Sequence, residues 1–165
     1  MDNSRKLEAL GITLSQLKSA IPCSKLHRHS LNKQVQSCLF LLPGCLQLLE
    51  FSDQKWIVKQ KIELNLISRV SISALSDGIF VLHNSGQKGD LVLKSDEFCV
   101  EFLAALCNAM KEIKKYLDVQ VTSRIELTLA AKKEVMEFAS TEEGKFSMKQ
   151  KGSSWIANVP KSQGN

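Results

Sequence analysis

The sequence contains few of the features that mark secreted, membrane-spanning or metal-stapled proteins. Aromatic residues make up 6% of the 165 residues, and no apolar run approaches the ~18 residues that a membrane-spanning helix needs. The five cysteines are odd in number and show no C-x-x-C spacing, which predicts buried thiols in a reducing compartment. The N-terminus, MDNSRKLEALG, lacks the apolar core of a signal peptide. A cytoplasmic location is therefore predicted.

Residue patterns that support catalysis or cofactor binding are also missing. The sequence has neither of the glycine-loop motifs that cradle nucleotide phosphates. A cluster of Cys23, His27 and His29 lacks a fourth ligand and does not predict a metal site. The charged residues beside Gly89 and Gly144 are typical of hairpin turns. The sequence predicts a protein that is not an enzyme and has no cofactor or metal.

The charge balance allows an anionic partner. The formal net charge is +5, which favours attraction to acidic lipid headgroups or nucleic acid, although such an excess is also typical of a merely solubilising surface. Nucleic-acid binders combine a dense basic face with exposed aromatics. Here Trp56 and Trp155 lie in alternating apolar segments and are predicted to be core residues, so nucleic acid is not a predicted partner.

The first 21 residues are predicted to be helical. Gly11 ends one segment, and Thr13 with Gln16 forms a capping box before an apolar stripe of Leu14, Leu17 and Ile21. Pro22 would end this second helix. The stripe packs on the body of the domain or is taken by a partner. Residues 1–21 are thus predicted to be a helical extension.

Residues 34–94 alternate between short apolar segments and turn residues. CLFLL and CLQLLEF flank Pro43-Gly44, which predicts a hairpin. Trp56, Val58 and Ile62 predict a half-buried strand with a basic outer face. VSIS, IFVLH and LVL (starting at residues 70, 79 and 91) predict two more hairpins.

From Asp96 the apolar period changes to that of a helix. Asp96 is a plausible N-cap, and a stripe of apolar residues follows at three- and four-residue spacings: Val100, Leu103, Cys107, Met110, Ile113 and Leu117. Short alternating segments then predict about four strands. The predicted fold is α+β: a bent antiparallel sheet or small barrel over residues 22–160, one long amphipathic helix, and a frayed tail at 161–165.

The basic residues concentrate in two places along the chain. One group lies before or in the first predicted strand, and the other lies along the third predicted strand. The two groups are Lys25, Arg28 and Lys33, and Lys55, Lys59 and Lys61. If the two groups adjoin, they form a cationic rim suited to phosphorylated headgroups. The alternative is a solvated face without a ligand.

Residues 67–106 resemble the tail homology 1 region at the C-terminus of class I myosins. The resemblance rests on VSISALSDGIFVLH, KGDLVLKSD and the following VEFL (starting at residues 70, 88 and 100), and extends more weakly over residues 22–160. It implies a pleckstrin-homology-like barrel with a helix that acts as a peripheral-membrane module at the cell cortex. Its implied ligands are acidic phospholipids, among them phosphoinositides, contacted by lysine and arginine side chains.

Two departures from that family bear on function. The chain is too short to hold a motor and has no P-loop, so motor activity and actin binding are not expected to carry over; it is a tail-only protein or a tail fragment. The family's lipid signature is a lysine followed by K/R-x-R. Here its first lysine falls near Lys25, Lys33 matches one basic position, and Val35 and Ser37 replace the arginines.

Two functions remain open from the sequence. The first is weak, diffuse binding of anionic phospholipid by a monomer. The second is a protein-interaction module that keeps the fold, has lost specific lipid binding, and recruits a cytoskeletal or myosin-related partner through the N-terminal stripe or a sheet edge.

Overall fold

A computed structural model describes most of the chain. The described residues are 4–27, 30–75, 78–86, 89–96, 100–129, 132–141, 147–151 and 154–160. For 30–35, 147–151 and the single positions 4, 9, 27, 129, 132, 141 and 160, the description comprises the backbone alone. Two α-helices, twelve strands and two short 3₁₀ turns occupy this described part. The fold is therefore mostly β-sheet with few helices.

The elements before the long helix form a run of hairpins. They are α1 (Ser4–Leu10), β1 (Ser19–His27), β2 (Ser30–Leu42), β3 (Cys45–Ser52), β4 (Lys55–Glu63), β5 (Ile67–Ser73), β6 (Ile79–Asn84) and β7 (Leu91–Lys94). The later elements are α2 (Val100–Glu112), β8 (Asp118–Thr122), β9 (Arg124–Leu129), β10 (Lys132–Thr141), β11 (Ser147–Lys151) and β12 (Ser154–Pro160). The predicted hairpin around Pro43-Gly44 is confirmed as β2 and β3, whose register pairs Leu42 with Cys45.

Eight strands form a first sheet in the order β4-β3-β2-β1-β7-β6-β5-β8. Its two edges, β4 and β8, are not paired with each other in the described part of the chain, so the predicted closed barrel is corrected to an open sheet. The sequence analysis missed β8, which pairs in parallel with β5 and forms the second edge of this sheet.

Four strands form a second sheet in the order β11-β12-β10-β9. Within it, β10 and β12 run parallel from the pair Val135–Ser154 to the pair Thr141–Pro160. Parallel strands need a crossover connection, which here is made by β11. The prediction of a purely antiparallel fold is therefore wrong at two strand pairs.

Strand alternation divides the first sheet into two faces. The inner face carries Leu39 and Leu41 of β2 and packs against Phe102 and Leu106 of α2. The outer face is covered twice. Near β2 and β3 it packs against α1 in a cluster containing Leu7 and the segment up to Leu17, and near β6 and β7 it packs against the second sheet.

The N-terminal segment differs from the prediction after Thr13. The capping box forms, with the Thr13 backbone N–H donating to Gln16 Oε1 at 3.0 Å, but it caps a single 3₁₀ turn, Leu14–Gln16. The predicted second helix is wrong because β1 begins at Ser19 and pairs with β2 along its length, including at Pro22. Proline is tolerated there because β7 pairs with β1 only at Ser24 and Lys25, so Pro22 lies in an edge segment.

The predicted long helix is confirmed, with a different end and a different buried face. It ends at Glu112, and Lys114 takes a left-handed φ of 60° in a Schellman arrangement that closes back onto Met110. Of the predicted stripe, Met110 and Leu117 are buried, whereas Val100 and Ile113 are exposed; the buried face of the helix also contains Phe102, Leu106 and Ala109. Among the described helices, none combines the length and apolarity required to cross a bilayer.

Candidate functional site

The ends of two hairpins lie together at one end of the first sheet. The His27–Ser30 pair, where the described parts of β1 and β2 end and begin, and the β3–β4 turn at Asp53-Gln54 share this end because β1, β2, β3 and β4 are successive antiparallel neighbours. Asp53 and Gln54 both have positive φ, 51° and 62°, which is the geometry of a tight two-residue hairpin turn. We call this region, residues 25–33 and 52–55, the loop end.

Two of the predicted basic residues lie at the loop end on the inner face. Cross-strand pairs form a row in the order Cys23, Ser37, Glu50 and Ile57. Lys25 and Lys55 each lie two residues beyond this row, towards the loops, and so share its face. They are three strand spacings apart, roughly 14 Å. Lys55 is exposed and Lys25 is partly buried.

Lys59 and Lys61 lie elsewhere on β4. Lys59 sits at the bulge opposite Leu48 and Leu49, and both lysines are exposed. They line a cleft of about 350 Å³ together with Leu66, Asn84 and Gly86. Lys61 is also 3.4 Å from Glu63, so part of its charge is compensated. Among the described side chains, Lys59 and Lys61 thus lie apart from Lys25 and Lys55.

The remaining two basic residues are described only in part. Arg28 lies outside the described residues, between the ends of β1 and β2. Lys33 lies on the β2 backbone, and its side chain is outside the description. In chain order both belong to the loop end that carries Lys25.

The strand register also locates the two replaced arginines. Val35 pairs directly with Lys25, and Ser37 pairs with Cys23. Ser37 is only 1% exposed. Arginine binds phosphate through a planar fork of N–H donors, which neither valine nor serine provides. The loop end therefore retains Lys25 but lacks the two arginines that the family resemblance predicts at positions 35 and 37.

A chain of hydrogen bonds links Ser71, His83 and Asp90. Asp90 Oδ2 is 2.9 Å from His83 Nδ1, which carries the proton because a carboxylate only accepts; His83 Nε2 is 2.7 Å from Ser71 Oγ. A hydroxyl, imidazole and carboxylate in this order can activate a nucleophile, but Ser71 is only 2% exposed. Asp90 also accepts the Thr128 backbone N–H of β9, so the chain joins the two sheets.

The expected absence of metal ligands can be examined only in part. Groups of three or more histidine, cysteine or acidic side chains that could hold an ion do not occur among the described residues, whereas His29 and the side chain of His27 lie outside them. Burial, with a smaller contribution from Cys38, raises the pKa of the Cys23 thiol to about 12. A metal ligand must be a thiolate, so this thiol is a poor one at neutral pH.

The two tryptophans differ in burial, and one of them lies near lysines that the sequence analysis missed. Trp155 is buried, as predicted, and donates to Glu134 Oε2 at 2.6 Å. Trp56 is only partly buried, and the Lys6 ammonium lies 4.7 Å from its ring centroid. The sequence analysis missed Lys6 and Lys94 because it considered only basic residues close together in the chain. Alternation was the available signal for Lys94, since it places this residue on the opposite face from Leu93.

Comparison with a family model covers nearly the whole chain. Residues 4–162 match the family described as "Unconventional myosin tail, actin- and lipid-binding". That description assigns actin binding to the tail itself, whereas the sequence analysis expected actin binding to be absent along with the motor.

Curated relatives match over part of the chain. Unconventional myosin-Ic of Bos taurus is 39% identical over 98 residues, and that of Danio rerio is 35% identical over 98 residues. Each match covers 57% of this chain and 9% of the relative, so the chain corresponds to a small part of those proteins.

Solved structures show a similar fold at low sequence identity. The hSac2 domain from human phosphoinositide phosphatase Sac2 superimposes with a TM-score of 0.51 and 14% identity, over 78% of this chain and 90% of that one. A weaker match, with a TM-score of 0.46 and 15% identity, covers 68% of this chain and 34% of a structure described by the role of the PH and C1 domains of the Vav1 exchange factor. The pleckstrin-homology-like assignment stays a prediction.

Proposed function

We propose that this chain, which belongs to the family of unconventional myosin tails, is a non-catalytic peripheral-membrane module that binds anionic phospholipids through its loop end. The family is described as lipid-binding. The finer statement, that the contacts come from Lys25, Arg28, Lys33 and Lys55, with Lys59 and Lys61 adding charge nearby, is our inference. We further propose that the protein is a monomer located in the cytoplasm, at the membrane or cell cortex.

The observation that carries this proposal is the shared position of Lys25 and Lys55. They occupy one face at the end of the sheet where two hairpins terminate, and the connection between β1 and β2 adds Arg28 in sequence. A lysine or arginine near an acidic surface contributes about 1 kcal/mol, so several together give reversible binding.

The expected binding is electrostatic and poorly selective. Val35 pairs with Lys25, and Ser37 is buried, so the fork-shaped donors that would single out one phosphorylated headgroup are missing from this end. Membranes that contain phosphatidylserine and phosphoinositides should both be bound. Selectivity among phosphoinositides, if present, must come from another part of the surface.

Vesicle co-sedimentation tests the proposal. The full chain is mixed with phosphatidylcholine vesicles, with or without 20% phosphatidylserine or 5% phosphatidylinositol 4,5-bisphosphate, at 50 and 200 mM salt. We expect pelleting only with the acidic vesicles, and weaker pelleting at the higher salt because screening acts on exposed charges. Equal pelleting with neutral and acidic vesicles at low salt would contradict it.

A matched pair of double variants locates the surface. Lys55→Gln with Lys59→Gln removes two exposed charges from β4, and Lys111→Gln with Lys114→Gln removes two exposed charges from the end of α2. At about fivefold per lysine, the first pair should weaken binding to acidic vesicles by about 25-fold. The second pair should change it much less. Equal losses in both would indicate dependence on net charge alone.

The alternative function is a protein-interaction module. The family description includes actin, and the replaced arginines weaken the case for specific lipid binding. Of the N-terminal stripe, Leu17 packs against the outer face of the sheet and Ile21 lies in the core, so Leu14, which is 69% exposed, is the member that a partner could contact. Further candidates are the sheet edges, β4 and β8 of the first sheet and β11 and β9 of the second. Pelleting with actin filaments in the absence of lipid, together with no binding to acidic vesicles, would favour this alternative.

A further inference from the structure

The two edges of the first sheet differ in how well they resist pairing with another strand. An edge strand presents unpaired backbone N–H and C=O groups, and proteins protect such edges with lysines and bulges. The β4 edge has both, since it carries three lysines and has a bulge at Lys59. The β8 edge, Asp118–Thr122, contains no lysine, arginine or proline, and its register with β5 is continuous. The β8 edge is therefore open to another strand.

Only half of the β8 backbone is used by its pairing with β5. The Thr122 carbonyl accepts the Ala74 N–H, so the backbone groups of Thr122 point towards β5. Successive residues of a strand direct their backbone groups to opposite sides. Val119 and Val121 therefore direct their N–H and C=O groups away from β5. In the described part of the chain, β5 is the one strand beside β8, so these groups lie at a free edge.

The residue that follows β8 agrees with this alternation and sets the limit of the edge. Ser123 should point away from β5, and its carbonyl accepts the Phe138 N–H of β10. The outward side is thus occupied from Ser123 onwards. The open edge comprises Asp118–Thr122.

The side chains of this edge suit a neighbouring strand. Val119 and Val121 share the inner face, where Val119 packs against the core and Val121 is 67% exposed. Gln120 is exposed on the outer face, between Asp118 and Thr122. β-Branched residues favour strands, and one residue of the five carries a charge.

We infer that two copies of this chain pair through β8, antiparallel about a two-fold axis at Gln120. In this register Val119 of each copy lies opposite Val121 of the other. Because both residues direct their backbone outwards, each of these pairs exchanges both of its N–H···O bonds. The valines meet as β-branched pairs on the inner face, and the two Gln120 amides meet on the outer face. Asp118 lies opposite Thr122, so like charges do not face each other.

The position of the axis follows from which residues point outwards. A strand pairs with its own copy only where its outward-facing residues are symmetric about the axis, and Val119 and Val121 are symmetric about Gln120. An axis at Val121 would bring Val119 opposite Ser123, whose carbonyl is already bonded within the chain. An axis at Val119 would bring Val121 opposite Leu117, which is buried in the core. Gln120 is the axis that uses both free residues.

The pairing is weak in dilute solution. A strand of five residues buries much less surface than the ~1,200 Å² of a stable complex, so we expect a dissociation constant on the order of 1 mM. The chain is then a monomer at micromolar concentrations, as proposed above, and pairs when it is concentrated in solution or on one membrane. The pairing needs no lipid, so the inference does not rest on the proposed function.

A disulfide across the axis tests the register. Residues opposite each other in a non-hydrogen-bonded antiparallel pair have Cα atoms about 4.5 Å apart, which suits a disulfide. At about 0.5 mM protein, Gln120→Cys should form a covalent dimer under mild oxidation, seen on a non-reducing gel. The control is Ser123→Cys, also exposed, because the two copies of that residue would lie roughly 20 Å apart. The wild type gives the background from its own cysteines. Equal dimer formation by the two variants would overturn the inference.

A proline substitution separates pairing from folding. The Val121 N–H points away from β5, so Val121→Pro removes a hydrogen bond from each intermolecular pair and none from the sheet. Val121→Thr is the control, since it keeps the N–H and the β-branch. Sedimentation equilibrium up to about 1 mM should show the mean mass rising for the wild type and Val121→Thr, with association at least tenfold weaker for Val121→Pro. A wild-type mass that stays monomeric over this range, or equal association by all three proteins, would overturn the inference.

Discussion

Lys25 on β1 pairs directly with Val35 on β2, so a valine stands beside the lysine where the family resemblance predicts an arginine. The adjoining position, Ser37, is 1% exposed and cannot be replaced by a long charged side chain without disturbing the core.

We expect Val35→Arg to create selective phosphoinositide binding. An arginine paired with Lys25 would add a charge-assisted hydrogen bond, and the affinity for vesicles with phosphatidylinositol 4,5-bisphosphate should rise by about tenfold. Val35→Leu is the control and should bind like the wild type. An equal gain for phosphatidylserine vesicles would show that the arginine acts as added charge alone.

Gly78 should be far less replaceable than Gly44, although both have positive φ, 79° and 77°. A Cβ at Gly78 would lie 2.3 Å from the Ser95 carbonyl oxygen, whereas a Cβ at Gly44 meets no atom within 4 Å. Gly44→Ala should lower the free energy of unfolding by about 1 kcal/mol, the cost of a left-handed backbone. Gly78→Ala should cost at least about 2 kcal/mol more because of the steric conflict. Urea denaturation gives both values, and equal losses would contradict the clash.

The Asp90 carboxylate should be a major source of stability. It accepts hydrogen bonds from His83 and from the backbone N–H groups of Asn84 and Thr128, and its side chain is 5% exposed. Asp90→Ala leaves these three donors without their acceptor and should lower the free energy of unfolding by about 2–4 kcal/mol. Asp96→Ala, at an exposed carboxylate, should cost less than about 1 kcal/mol. Similar losses in urea denaturation would show that the chain of bonds between the sheets contributes little.

The raised pKa of the Cys23 thiol should make stability fall in alkali. Burial holds this pKa at about 12, above its ordinary value of 9.0. Between these values the unfolded chain releases the proton and the folded chain keeps it, so the free energy of unfolding decreases as pH rises above 9. Cys23→Ala should weaken this dependence in denaturation curves measured from pH 7 to 10.5. Parallel curves for the two proteins would contradict the prediction.

The local patterns of the sequence predicted most of the strands correctly. Alternating residues flanking Pro43-Gly44 specify the β2–β3 hairpin because the side-chain period and the turn chemistry both act over a few residues. The same reasoning failed at Ser19–Ile21. There an apolar spacing typical of a helix lies in β1, since pairing with β2 outweighs the weak local preference.

The candidate site was less predictable than the fold. The sequence identified Lys25 and Lys55, but their shared face depends on the registers of three strand pairs. Lys6 and Lys94 were missed altogether because 88 positions separate two residues that line one cleft. The residue pattern around Lys6 and the pattern around Lys94 do not indicate that the two side chains lie close together.

The sequence by itself determined the family, the hairpins before α2 and the identity of the residues replacing the lost arginines, because each of these is written in short, contiguous patterns. Only the tertiary structure decided that the first sheet is open, that β8 pairs in parallel with β5, and that the basic residues divide between two faces. The physical reason is that contacts between distant segments depend on how whole faces bury their apolar side chains. The position of each lysine is set by the face on which it lies. The sequence of one segment does not specify which lysines from other segments lie beside it.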